Sequence, residues 1–297
     1  MFAIQLANRS TFLHNVISTD CFYLRIKFAF EIFLSKLEFS VYTIESMSIR
    51  NALIILFRYM GFFPYRFISK EDSKKIIQIL NPIDNGHKLI RIGAEKDGGY
   101  LLPDDLNGVE VCFSPGVANN WSFEKELFQK FNIASIMYDG SVSKPDDLTN
   151  EHTFYKKYIG LSSFKDFISI SDVLNIDLKK FTGDLIAQID IEGGEYSIFN
   201  TISESELLRF RIIVVEIHEI DRWIQKRYFD ETINSMLDKV FTTHDLVHAH
   251  PNNHGGYFRF KGYKFPKVVE LTLHRKDRAK LYGGYREIPN ILDADNV

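Results

Sequence analysis

From Ser69 onward the chain alternates between short unbroken apolar runs and longer stretches where apolar residues recur every three or four positions. "VEVCFS", "IASIMYD", "DLIAQID" and "RIIVVEIH" have the length and β-branched character of buried strands. Between them, "SFEKELFQKF" places Phe123, Leu127, Phe128 and Phe131 on one helical face, and "SDVLNI", "EYSIFNTI" and "DETINSMLDKVF" read as further helices. Upstream, "SKEDSKKIIQIL" opens with Ser69 and Asp72 at capping-box spacing and is stopped by Asn81-Pro82. "KLIRIG" and "YLLP" flank a "DGGY" turn and predict a hairpin, and a short strand is expected in "YKKYIGL". "HDLVHAH" and "KVVELTLHR" close the pattern as two strands with no helix between them. Unbroken apolar strands separated by helices are covered on both faces. The pattern therefore predicts an α/β fold, a mostly parallel sheet with helices on both faces that finishes on an antiparallel pair.

Residues 1–68 differ. Both "FYLRIKFAFEIFL" and "NALIILFRYMGFFPYRF" are apolar and aromatic but broken by charge, and the run from Ala52 to Phe57 ends at Arg58. Spanning a bilayer takes about 20 apolar residues, so neither stretch predicts a transmembrane helix. "MFAIQLANR" also lacks the basic start of a secretory signal. Two readings stand for this extension. It is an amphipathic helix at a membrane surface, with Arg50, Arg58 and Arg66 on its polar edge and contact through residues 49–67, or a helix lying over the catalytic domain. Met47 would make a start of its own, which marks residues 1–46 as a candidate over-called extension. The expected division is a helical extension over 1–68 and a catalytic domain over 69–297.

Composition narrows the class. A chain of 297 residues holds one large domain with an appendage. Its formal net charge of −3 supplies no basic field, which argues against nucleic acid as a partner. Cys21 and Cys112 lie far apart without a CxxC or zinc spacing, pointing to a reducing compartment and a cytoplasmic location, peripheral to a membrane if the extension binds one.

Open parallel sheets bind ligands at the carboxyl ends of their strands. Here those ends carry Ser114-Pro115-Gly116, then Asp139, then Asp190 with Glu192 and Glu195, then Glu216 and His218. Like charges this crowded call for a cation nearby. An acid after the second strand, about 20 residues past a glycine turn, suits the ribose of a dinucleotide or of S-adenosylmethionine. The turn "SPGVANNWSF" lacks GxGxxG and so lacks the close approach a pyrophosphate needs. A sulfonium donor carries no phosphate and is positively charged. Acids favour it.

Taken together, "RIGAEKDGGYLLPDDL", "VCFSPGVANNWSFEKEL", "AQIDIEGGEYSIF", "VVEIHEID" and "HAHPNNHGG…FPKVVELTLHR" resemble the FkbM-type S-adenosylmethionine-dependent methyltransferases, in the branch with a DGGY segment before the cofactor turn. The likeness runs over roughly residues 86 to 275. It implies a class I methyltransferase fold, Rossmann-like and seven-stranded with an antiparallel last strand, and O-methylation, often of a saccharide hydroxyl in a glycan or natural product. The chain departs from the commoner E/D-x-G-x-G turn, keeping Gly116 but placing Asn119 and Asn120 where another small residue is expected.

On that framework Ser114, Gly116 and Asn119 form the cofactor turn, Asp139 accepts from the ribose, and Asp97, Gly98, Gly99 and Tyr100 lie near the cofactor or acceptor mouth. Asp190 falls where the methyl group would react. It either takes the acceptor's proton directly or, with Glu216, binds a divalent ion such as Mg that acidifies the hydroxyl. Glu216 and His218, two apart on one strand, share a side and make a carboxylate-assisted general base. Glu192 is a metal or substrate contact or a helix N-terminal acid, and Glu195 is better read as the latter. His248, His250, Asn252 and Asn253 are the expected acceptor contacts. Two rivals remain open: a small-molecule or protein methyltransferase, and a non-catalytic protein that keeps the fold and holds a membrane or partner.

Overall fold

The computed structural model describes residues 66–296. The membrane or covering role expected of residues 1–68 thus lies almost wholly outside the described residues. Among the described residues no helix is long and apolar enough to cross a membrane.

The first helix, α1 (Lys70–Ile79), starts as its sequence predicts: the Ser69 hydroxyl accepts from the Asp72 amide and the Asp72 carboxylate from the Ser69 amide, each at 2.9 Å. This reciprocal cap satisfies two of the helix's free N–H groups. β1 (Leu89–Gly93) and β2 (Gly99–Pro103) then form the antiparallel hairpin around DGGY, a two-stranded sheet of its own.

The main sheet has seven strands in the spatial order β5 (Thr153–Tyr155), β4 (Ala134–Tyr138), β3 (Val109–Pro115), β8 (Asp184–Ile189), β9 (Phe210–Ile217), β13 (Val269–Arg275) and β10 (His244–Pro251), while β6 (Tyr158–Gly160, the short strand expected in "YKKYIGL") and β7 (Phe167–Ser169) pair in a two-stranded sheet of their own. The first five run parallel, and β13 lies antiparallel to both β9 and β10. The last strand in sequence is therefore inserted between the fifth and sixth. Helices α2 (Ser122–Phe131), α3 (Ile170–Ile176), α4 (Glu195–Thr201), α5 (Glu204–Leu207) and α6 (Asn234–Thr243) connect the strands.

The period-two geometry of a strand sorts its side chains between two cores. Along β8, Leu185, Ala187 and Ile189 join a large cluster with Val173 and Leu174 of α3, Ile198 and Phe199 of α4, and Leu237 and Val240 of α6. Ile186, on the opposite face, joins Phe123 and Leu127 of α2 and Ile92, Tyr100 and Leu102 of the hairpin.

Two local predictions need correcting. The last helix begins at Asn234 rather than Asp230, because Phe229–Ile233 winds as a π-helix that seats both Phe229 and Ile233 in the core. Between the two closing strands lies an unforeseen hairpin, β11 (Tyr257–Phe260) and β12 (Tyr263–Pro266). Lys261 and Gly262, with φ of 50° and 91°, supply the left-handed pair that a tight hairpin turn requires.

Candidate active site

Because β3, β4, β8 and β9 are parallel, their carboxyl ends open on one edge of the sheet, and the residues following them meet there. Gly116 follows β3, Asp139 follows β4, Asp190 follows β8 and His218 follows β9. Gly116 adopts φ +87°, and a Cβ built on it would sit 1.6 Å from the Asp190 carbonyl oxygen. Only glycine lets these two loops touch.

Three cavities converge at this edge. The largest, about 640 Å³, is lined by Gly116, Tyr138, Asp139, Lys157, Tyr158, Phe167 and Asp190–Gly194 among others. A second, about 420 Å³, is lined by Asp97, Asp190, Glu192, Glu216, His218, Asn252, His254 and Asn296. A recess of about 70 Å³ lies against Asp97, Gly98, Tyr100, Gly116 and Asp190. Asp190 borders all three.

Asp139 is buried and accepts from the Ala118 amide at 2.9 Å, the Ser141 amide at 2.7 Å and the Ser141 hydroxyl at 2.6 Å. A carboxylate offers about four acceptor positions, so one remains for a ligand hydroxyl, on the Oδ2 that Ala118 also uses. Gly116, Asp97, Gly98 and Tyr100, expected near the cofactor, also line a cavity. Three neighbours do not. Ser114 is fully buried below the floor, with its hydroxyl against Glu124 and Gln188. Asn119 is exposed and borders none of the three cavities; the loop turns at Ala118 (φ 45°) so that Asn120 borders the recess instead. Gly99 belongs to the hairpin, where a Cβ would meet the Ala94 carbonyl at 1.9 Å.

The second cavity is strongly acidic. Glu216 on β9 stands directly opposite Glu270 on β13, an unfavourable like-charge pairing. The Asn252 amide donates to Glu216 at 2.7 Å, and the Asn296 amide donates to Glu270 at 2.6 Å. Burial, reinforced by Glu270, raises Glu216 to about 7. Burial, with some relief from Asn296 and His250, raises Glu270 to about 7. Asp190 is raised to about 8, by burial first and by Glu216 second.

His218 is the cation among these acids. Its Nε2 lies 3.4 Å from Glu192, 3.8 Å from Asp190 and 3.8 Å from Glu216. Burial alone would lower its pKa, but Glu195, Glu216 and Asp190 outweigh this and raise it to about 9. The surrounding carboxyl groups favour the protonated ring, which weakens it as the general base that the Glu216–His218 spacing suggests. It instead holds the carboxylates together by charge. Glu195, fully buried in the first turn of α4, accepts from the His218 amide at 2.6 Å, while the Tyr196 hydroxyl donates to the His218 carbonyl at 2.5 Å. Glu195 is therefore a positioning residue as well as a helix N-terminal acid. Glu195→Gln is expected to move the His218 titration, followed by NMR of the ring protons, to lower pH. An unmoved titration would restrict Glu195 to its bond with the backbone.

Asp190, Glu192 and His218 bring ligand atoms within 4.8 Å of one another, so the set able to hold a metal ion differs from the expected Asp190–Glu216 pair. Glu192, mostly exposed and left-handed at φ 49°, borders both large cavities. The expected acceptor contacts divide. Asn252 lines the second cavity, but His248 and His250 face Asp293 of the C-terminal segment at 2.8 and 3.4 Å, and Asn253 donates to Asp295 at 2.9 Å. That segment fills the side of the sheet where a substrate was expected.

Sequence reasoning missed Asn296, His254, Lys157, Tyr158, Phe167 and Glu124. Glu124 had a signal: it lies three residues before Leu127 and four before Phe128, and so shares their buried side of α2.

Residues 151–243 match the family described as the methyltransferase FkbM domain. No curated protein matches the chain. Among solved structures, a 16S rRNA (adenine(1408)-N(1))-methyltransferase variant from Catenulisporales acidiphilia aligns at 9% identity over 66% of this chain and 97% of that one, with a TM-score of 0.28. The matched segment runs from the β5 edge through α6 and contains Asp190, Glu192, Glu195, Glu216 and His218. That segment is thus similar to the methyltransferase FkbM domain, and it carries the acids and the histidine of the site.

Proposed function

We propose that the chain is an S-adenosylmethionine-dependent O-methyltransferase whose acceptor is a hydroxyl of a saccharide or glycan. The observation that carries this reading is Asp190 in the common wall of two cavities of different character. The larger combines Asp139 with the rings of Tyr138, Tyr158 and Phe167, features suited to a ribose and an adenine. The smaller is lined by amide, imidazole and carboxyl groups, which suit several hydroxyls in exchange for their water. Gly116, Asp139 and the Asp190–Gly194 loop would hold the donor. When bound, it supplies a methyl group on a positively charged sulfur. The surrounding acids fit that charge.

Transfer to a hydroxyl requires in-line alignment and removal of one proton. Asp190 accepts that proton in its ionised form, which the adjacent His218 favours and which predominates only above about pH 8. His218, fixed by Glu195 and Tyr196, remains an imidazolium and keeps Asp190 and Glu216 in place. Asn252 orients Glu216.

Labelled methyl transfer to oligosaccharide fractions tests the assignment. Incorporation is expected with saccharide acceptors and to persist after chelation, because His218 already supplies the positive charge beside Asp190. Loss on chelation with rescue by Mg²⁺ would assign Asp190, Glu192 and His218 to a metal. Incorporation only into protein or small non-sugar acceptors would overturn the saccharide reading.

A further inference from the structure

The 70 Å³ recess has no role in the account above. It shares Gly116 and Asp190 with the largest cavity, so a ligand lying along that cavity past Asp190 continues into it. Its wall includes Glu124, a carboxyl residue only 1% exposed. One Glu124 oxygen meets the Ser114 hydroxyl; the other, Oε2, has no hydrogen-bond partner. Ser114 is itself 2.9 Å from the Gln188 side-chain oxygen, and the Gln188 amide donates to the Tyr100 hydroxyl at 3.2 Å, so neither of these hydrogen bonds reaches Oε2.

Burial raises Glu124 to about 7, a penalty on its ionised form that a neighbouring cation would relieve, and an ionised carboxyl group can only accept. A group that enters this recess and satisfies Oε2 is therefore a donor. Asp97 and Asp190 border the same space, and none of its lining residues is a lysine or arginine. An anion would be repelled there, and an alkyl group would leave Oε2 unpaired. A primary ammonium satisfies both demands, with three N–H donors and a positive charge in a space that holds little more than one such group.

We propose that Glu124, together with Asp97, binds the α-ammonium of the donor's amino-acid tail. The inference rests on the donor reading given above. It makes Glu124 a binding residue in the first turn of α2, where sequence periodicity assigned only packing.

The test is calorimetric titration of the full chain with three probes: S-adenosylhomocysteine, its deaminated analogue and 5′-methylthioadenosine, which lacks the tail. E124Q is expected to weaken S-adenosylhomocysteine about 10- to 100-fold, the range for one charge-assisted hydrogen bond, and to leave 5′-methylthioadenosine unchanged. The parent chain should show a similar loss when the amine is removed from the ligand, a comparison that needs no variant to fold. An E124Q chain that binds S-adenosylhomocysteine as the parent does, or loses both nucleosides equally, overturns the assignment, as does a parent indifferent to the amine. In those cases the donor reading survives. A parent that binds none of the three overturns both.

Discussion

Asp190→Asn is expected to lower kcat by roughly 10²–10⁴-fold, the range for a lost general base, with little change in donor affinity. The amide fills the same volume at the meeting of the three cavities but cannot take a proton. Asp190 is held near 8 by burial and by Glu216, against the opposing pull of His218. A base must be ionised to act, so the parent's kcat should fall as pH drops below about 8. The midpoint belongs to the Asp190–Glu216–His218 group as a whole, since the three titrate together. The Asn variant should lose this acid limb along with its activity. A variant that keeps both would place proton removal elsewhere.

The same groups make the ligand-free chain less stable as pH rises from about 6.5 to about 9. Asp190, Glu216 and Glu270 have folded pKa values above the ordinary carboxyl range, so over this window the folded chain binds protons that the unfolded chain has released. His218, raised to about 9, contributes stability present below its ordinary pKa and lost through the folded one. Both kinds of group push stability down with rising pH. His244 and His274, lowered to about 4 by burial, favour higher pH only below this window. A summed loss on the order of 2–3 kcal/mol would lower the melting midpoint by roughly 4–12 °C for a domain of this size. Asp190→Asn combined with Glu216→Gln should flatten the curve between pH 6.5 and 9. Thermal melts across that range check it, and a parent whose midpoint holds steady would show that the acids stay solvated.

Much of the fold was legible because strand and helix periods are local. The apolar runs of β3, β4, β8 and β9 and the Ser69–Asp72 cap needed only neighbours in sequence. Strand ends were also enough to bring Gly116, Asp139, Asp190 and His218 to one edge, since parallel strands must open together. Their charge states were not legible. His218 beside Glu216 reads as a base until Glu195, Glu192 and Asp190 are seen around the same ring. His248 and His250 failed for a related reason: their partner, Asp293, lies more than forty residues away in sequence. The hairpin at Tyr257–Pro266 was hidden because its strands carry aromatic and basic residues in place of an apolar run.

The contact between Gly116 and the Asp190 carbonyl has one further consequence. The turn proposed to cradle one reactant and the loop proposed to deprotonate the other are in mutual contact, so neither can drift without displacing its neighbour. Alignment of the two reactants is thereby a property of the sheet edge rather than of either ligand. Acceptor-side residues such as Asn252, His254 and Asn296 can then diversify without upsetting the spacing on which the chemistry depends.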